Sequence, residues 1–386
     1  MRIMNAEDAY PAAMTVPQSL AGGRLTVDLG ALVANWRDLS EIAADATTAA
    51  VVKGDGYGMG LEPTVRALAA AGCDTFFVAL PGEGLRLRSV LPQATVYVLC
   101  GLIEGEASAY AEAGLRPALS SLPEIEEWTA FRRDNPAARA ALHVDTGMNR
   151  MGLSLAEARS LLAAPAVAET LGLTLVMSHL ACADTPDHPL NRHQLAAFRE
   201  VRAMLPEVPA SLANSAGIFL GSDYHFDVVR PGIALYGGVA VSATENPMRP
   251  VATLEARILQ VRDAAPGESV GYGATEALDR PSRLAILAAG YADGYPRHAS
   301  SSDERPGARV LLRNHPAPLV GRVSMDLTTI DVTEVPGARR GDWVELFGPN
   351  IPVDEVAEHA GTIGYELLTS LGRRYHRRYV GGPESA

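Results

Sequence analysis

Short β-rich runs alternate with helical stretches through the first two thirds of this chain, and few folds satisfy that order. The runs occupy residues 49–53, 75–80, 95–100, 116–120, 140–145, 171–179, 211–214 and 226–230. Helical patterns lie between them, for example at 61–71, 122–133, 155–164 and 192–205. Ser121 before Glu124, Ser154 before Glu157 and Asn191 before Gln194 fit helix N-caps. The runs are continuously apolar, as strands of a parallel sheet covered on both faces are. Eight such units predict an α/β fold with a closed (β/α)8 barrel, whose chemistry sits at the C-terminal strand ends. A doubly wound open sheet is the alternative.

The barrel does not account for the whole length of 386 residues. Residues 1–23 read as a loose leader and 24–245 as the barrel segment, beginning with an alternating strand at 24–29 and a helix at 30–44. Around 238–250 glycine and proline mark a linker, and 246–386 reads as a mainly-β second domain. Its strands are expected at 252–261, 282–289, 308–312, 319–323, 328–332 and 342–346, with helices at 353–360 and 365–371.

Composition narrows the partners. Hydrophobic residues make up 47% and charged residues 20%, enough for a large core. Net charge is 33 − 45 = −12, which argues against a nucleic-acid or anionic-membrane surface. Cys73, Cys100 and Cys182 are odd in number and far apart, so neither a disulfide framework nor a metal clip is expected. There is no signal-peptide pattern and no bilayer-length apolar run. A cytoplasmic protein with a small-molecule partner is expected.

The predicted strand ends carry a chemical set: Lys53, His143 with Asp145 and Arg150, His179, Asn214 with Ser215, and Arg230. Lys53 closes an apolar strand, where desolvation lowers the pKa of an amine and suits it to Schiff-base chemistry. A lysine emerging into solvent is the plain alternative. The glycines after it permit close backbone approach, although no Walker A pattern is present. Ser215-Ala-Gly217 and Gly232-Ile233 follow the last two strands, the usual phosphate site of a barrel. An amine and a phosphate site together suggest pyridoxal 5′-phosphate.

These segments resemble the alanine racemase family. Val52-Lys-Gly-Asp-Gly-Tyr-Gly-Met-Gly60 is similar to its pyridoxal-lysine signature. His143-Val-Asp-Thr-Gly-Met-Asn-Arg-Met-Gly152, Ser178-His-Leu-Ala181, Ala213-Asn-Ser-Ala216 and Val229-Arg-Pro-Gly-Ile-Ala-Leu-Tyr-Gly237 match further blocks. In the second domain the matches are Gly271-Tyr-Gly-Ala-Thr275, Gly290-Tyr-Ala-Asp-Gly-Tyr-Pro-Arg297, Val320-Gly-Arg-Val-Ser-Met-Asp326 and Thr362-Ile-Gly-Tyr-Glu366.

The resemblance implies a homodimer whose active site is shared between subunits, and racemisation of alanine by two bases on opposite faces. Lys53 would bind the cofactor and serve one face. Tyr272 of the other subunit would serve the second, with His179 and Arg230 as its supporting network. Arg230 would also face the pyridine nitrogen, and Asn214 would pack beside the cofactor. Tyr57, Ser215, Gly232, Ile233 and Tyr365 match phosphate-binding positions. Arg150 would bind the substrate carboxylate, with Met325 of the other subunit nearby, and Tyr291 would line the access corridor.

The chain also departs from the family. His143 stands where many members carry a lysine, often carbamylated, so activity independent of carbon dioxide is expected. Met59 replaces a common histidine, with an effect expected on packing only. Gly364 replaces a common proline, which is expected to loosen the entrance and weaken strict alanine specificity. A serine or broad-specificity racemase, an amino-acid decarboxylase and a non-catalytic cofactor carrier are the rival readings.

Overall fold

The computed structural model describes residues 17–382 except 243, so most of the expected leader lies outside the described residues. Seven parallel strands run in sequence order around the barrel: Ala50–Val51, Thr75–Val78, Thr95–Val98, Leu115–Leu119, Ala140–His143, Leu173–Met177 and Ala210–Ser211. The eighth, Val228–Val229, pairs in parallel with Thr47–Thr48, just ahead of the first strand. The Val51 N–H reaches Pro231 O at 2.9 Å and the Arg230 N–H reaches Ala213 O at 3.0 Å, closing the ring on both sides of the eighth strand. The expected closed barrel is therefore the fold. Phe76, Phe77, Val78 and Leu142 are fully buried, the two-sided burial that makes such strands read as apolar runs.

Two of the expected helix caps are in place. Ser121 Oγ accepts the Glu124 N–H at 3.5 Å, and Ser154 and Glu157 form a reciprocal capping box. The third lies elsewhere. The helix is Pro189–Met204, and His188 Nδ1 accepts the Leu190 N–H at 3.2 Å. Pro189 suits the first helical position because its missing N–H would have no partner there. Asn191 is buried in the first turn, where its amide donates to Cys182 O at 3.1 Å and Thr185 O at 3.0 Å.

The second domain is built on a mixed sheet. The strand Gly23–Asp28, at the start of the expected barrel segment, lies here: it pairs antiparallel with Ala252–Ala264 and parallel with His376–Val380. Its residues alternate buried and half-buried, as a strand with one covered face should. The expected strand at 319–323 does not form. His315–Pro318 pairs with Arg309–Leu312 instead, and Leu319 keeps only an isolated bridge to Ile330. Arg313 and Asn314 join that hairpin with φ of 52° and 63°, a two-residue turn without the usual glycine signal. The strand His376–Val380 has no counterpart in the sequence reading.

One continuous core joins sheet and barrel, reaching from Leu25 and Val27 through Phe76 and Leu142 to Val344 and Leu346. Buried Asn35, on the helix Leu29–Ile42, ties the barrel to the linker. Its Nδ2 donates to Leu235 O at 3.1 Å and Arg249 O at 2.8 Å, and its Oδ1 accepts the Arg249 N–H at 2.8 Å. Asn35→Ala strands these three backbone groups. It should cost about 2–4 kcal/mol, read as a lower urea midpoint at unchanged slope.

Candidate active site

Lys53 follows the first barrel strand and opens a left-handed turn. Gly54, Asp55 and Gly56 have φ of 64°, 56° and 64°, and Tyr57 continues at 52°. Left-handed backbone costs about 1–2 kcal/mol at a residue with a Cβ, which is why glycine alternates here and why Asp55 needs outside support. Asp55 Oδ1 accepts the Leu61 N–H at 3.1 Å and an N–H of Arg86 Nη2 at 2.8 Å. Gly58 serves a different purpose: a Cβ there would lie 2.0 Å from Leu368 O of the second domain.

The turn aims Lys53 into a cavity of about 840 Å³ at the C-terminal end of the barrel. Burial, then the Arg150 guanidinium, push the Lys53 amine below its ordinary pKa, while Cys100 and Glu83 oppose the shift. Arg230 lies buried across the floor. It donates to Ser211 Oγ and, at 2.6 Å, to Ser178 O. Burial brings its pKa down to about 9, so the cation persists at neutrality. Its Nη2 also lies 3.4 Å from His179 Nδ1. Burial and then the neighbouring cations Arg230, Arg150 and Lys53 hold His179 well below its usual range, so the imidazole is neutral and Nδ1 can accept from Arg230.

The other wall carries hydroxyls. Ser215 Oγ accepts the Gly232 N–H at 2.8 Å and the Ala234 N–H at 3.3 Å, joining the loops after the seventh and eighth strands. Asn214 caps the short helix Ser215–Ile218 by accepting the Gly217 N–H at 2.9 Å. A Cβ at Gly232 would lie 2.3 Å from the Tyr57 hydroxyl, so only glycine leaves that space. Tyr57 stacks on Tyr236 at 4.6 Å and lies 6.3 Å from Tyr365. Burial raises the Tyr57 phenol and brings that of Tyr365 to about 12, keeping both as neutral hydrogen-bond donors. Three basic side chains, Lys53, Arg150 and Arg230, share a lining with hydroxyls and one carboxylate, Glu366. Such a site fits an aldehyde cofactor with an anionic arm and a substrate with a carboxylate.

Eleven of the residues singled out in the sequence line this one cavity: Lys53, Tyr57, His143, Arg150, His179, Asn214, Ser215, Arg230, Gly232, Ile233 and Tyr365. Tyr272, Met325 and Tyr291 do not. They are 70%, 53% and 42% exposed on the second domain. The Tyr291 N–H bonds to Ser324 O at 3.0 Å, and Gly271 packs on the Arg322 backbone, so the three segments adjoin. Among the described residues no group of three or more His, Cys, Asp and Glu could hold a metal ion.

The departures have structural reasons. Met59 is fully buried, as a packing residue is. Gly364, expected to loosen the entrance, is instead buried and pinned. Its N–H bonds to the Asp354 carboxylate, which also accepts the Val239 N–H at 2.9 Å. A proline could not donate there, and any Cβ would sit 2.4 Å from Asp354 Oδ1. His143 is buried with Nδ1 3.4 Å from Ser120 Oγ.

Sequence reasoning missed the buried support beneath His179. Gln194 Nε2 donates to His179 O at 2.8 Å and to Thr146 Oγ1 at 3.2 Å, and Thr146 and Ser178 share a hydrogen bond of 2.7 Å. Gln194 lies inside its helix rather than near a cap. A polar residue at an inward helical position was the available signal.

Barrel, β domain and basic cavity together define a barrel-type protein whose cavity carries the side chains that suit a phosphate-bearing aldehyde cofactor. Family models then match nearly the whole chain, the alanine racemase N-terminal domain over residues 27–240 and the C-terminal domain over 251–379. The chain belongs to the alanine racemase family. It is 50% identical to the biosynthetic alanine racemase of Agrobacterium fabrum over 97% of this chain and 98% of that one. It is 45% identical to the catabolic alanine racemase of Mesorhizobium japonicum over 95% and 96%. The crystal structure of the Bartonella henselae alanine racemase with covalently bound pyridoxal phosphate superposes with a TM-score of 0.88 at 41% identity, covering 93% of this chain and all of that one.

Burial, then Arg230 and Arg150, lower the His143 pKa to about 4 from 6.5. Between those values the unfolded chain binds more protons than the folded one, so stability rises with pH through that window. Acidification from about 6.5 to 4 should remove on the order of 3 kcal/mol. His143→Asn should flatten this part of the thermal-stability profile.

Proposed function

We propose that this protein interconverts L- and D-alanine with pyridoxal 5′-phosphate, drawing one base from each of two subunits. The observation that carries the reading is the desolvated Lys53 amine, aimed into a cavity it shares with two guanidinium groups and a wall of hydroxyls. Lys53 would hold the cofactor's aldehyde carbon, and Tyr57, Ser215, Tyr365 and the Gly232-Ile233 backbone its phosphate. Asn214 would pack beside the ring. Bound there, the cofactor supplies an electron sink that acidifies the substrate Cα–H.

Proton traffic then falls to this chain's own groups. A lowered pKa lets the Lys53 Nζ accept a proton from one face of Cα and return it. Arg150 offers a planar fork for the substrate carboxylate. Arg230 would serve two ends. Facing the ring nitrogen of a bound cofactor, its guanidinium would withhold a proton there, restraining the electron sink and disfavouring side reactions. Through His179 it passes polarity onward: a neutral imidazole accepting at Nδ1 keeps its proton on Nε2, free to bond a phenolic oxygen. Tyr272 of a second copy would be that phenol, with Met325 of the same copy near the carboxylate. The exposure of Tyr272, Tyr291 and Met325 on adjoining segments supports a homodimer interface there. A cytoplasmic location fits the free cysteines and the lack, among the described residues, of a helix long and apolar enough to cross a membrane.

The decisive experiment is solvent-deuterium exchange at Cα with L- and D-alanine, serine and other amino acids. Exchange and inversion of both alanines are expected, and no exchange with any amino acid would leave only a cofactor carrier. Lys53→Ala should abolish the yellow absorbance and lower turnover more than 1,000-fold, the scale for losing a base and covalent group together. Tyr272→Phe should slow exchange from one enantiomer at least 100-fold more than from the other. Because an imidazole cannot become a carbamate, removal of bicarbonate should leave the rate unchanged.

A further inference from the structure

Glu83 belongs to no block that matched the family, yet it touches the backbone beside Lys53. It sits in the first turn of the helix Pro81–Val90, which follows the second barrel strand. One carboxylate oxygen does local work: Oε2 accepts the Ala79 N–H at 2.9 Å and the Leu80 N–H at 3.3 Å. Helix capping accounts for that half of the group. It does not account for the other. Oε1 reaches 29 residues back along the chain to the Gly54 N–H at 2.6 Å, and also lies 3.4 Å from the Asp55 N. Those are the first two amides of the left-handed turn after Lys53.

We propose that Glu83 is a positioning residue for Lys53: it staples the turn that aims the lysine to the end of the second barrel strand and keeps a negative charge beside the amine. The proposal rests on the racemase reading for what Lys53 does, but not for how Lys53 is held. The amine is faced by Arg150 and His179 inside the cavity, by Cys100 at the end of the third strand and by Glu83 behind the turn. Arg150 and burial disfavour its protonated form, whereas Glu83 and Cys100 favour it. A base that must both take and return a proton needs this opposition. Without the carboxylate, burial and Arg150 would be opposed by Cys100 alone. The hydrogen bonds add direction, because a carboxylate binding amides just past both strands ties their ends together.

The test separates charge from tether. Glu83→Gln keeps the size and one acceptor oxygen but removes the charge, and Glu83→Ala removes both. In the full-length chain stripped of cofactor, Lys53 is tagged with carbon-13 methyl groups and titrated by NMR, with Lys53→Arg identifying its signal. Glu83→Gln should lower the Lys53 midpoint by about half a unit, with little change in melting temperature; an unchanged midpoint overturns the proposal. In the cofactor-loaded protein, Glu83→Ala should weaken pyridoxal phosphate binding about tenfold, the scale for a lost charge-assisted hydrogen bond, and diminish the visible circular dichroism of the bound ring. Glu83→Gln should raise the α-deuterium isotope effect for the one enantiomer whose proton Lys53 removes. Equal isotope effects in both directions would overturn a role through Lys53. Failure of the wild type to exchange either alanine would count against the racemase reading alone, since the NMR midpoint needs no turnover.

Discussion

A single unfavourable arrangement organises this molecule: three basic side chains share a partly desolvated chamber. Burial and the Arg150 guanidinium both disfavour the charged form of Lys53, and burial disfavours the charge on Arg230 by removing water from around it. The fold answers the strain with neutral imidazoles at His143 and His179, whose pKa values are driven down in the same field. The remaining imbalance favours anions. A phosphate and a carboxylate entering together would relieve it, so the protein spends stability to create affinity for dianionic and carboxylate-bearing ligands.

Much of this was legible because a parallel barrel writes its chemistry in a regular place. Strands buried on both faces leave apolar runs, and the first polar residue after each run marks the rim. Lys53, His143, His179, Asn214 and Arg230 were found in that way. The harder parts depend on partners remote in sequence. Gly23–Asp28 alternates like any amphipathic strand, and nothing local says that it pairs with His376–Val380 rather than with the barrel. Asn191 resembled a cap until the buried loop it bonds to was in view. Glu83 looks like an ordinary first-turn acid, since only the folded chain brings it to Gly54. Gly364 shows the opposite error, where the missing proline ring suggested looseness but the freed N–H is what fastens the segment to Asp354.

The site is also layered. Several side chains facing the chamber are held by a second set that does not line it. Gln194 and Thr146 support the segment of His179, Ser211 and the Ser178 carbonyl orient Arg230, and Tyr236 stacks on Tyr57 while its hydroxyl bonds Val51 O at 3.2 Å. That last pair links the Tyr57 wall to the strand just before the lysine. Buried polar networks of this kind specify geometry more than they add stability.

The close approach of Gly58 to the Leu368 carbonyl reaches beyond packing. Arg377, on the last strand, also donates to Gly58 O, and Tyr379 Oη bonds Met59 O at 3.0 Å. The lysine loop is thus moulded between two halves of the polypeptide, one on each side. A barrel excised from its companion would leave that loop held on one side only, by Glu83 and the Asp55 bonds. In evolutionary terms, a change at Leu368, Arg377 or Tyr379 in one half acts directly on the lysine loop of the other.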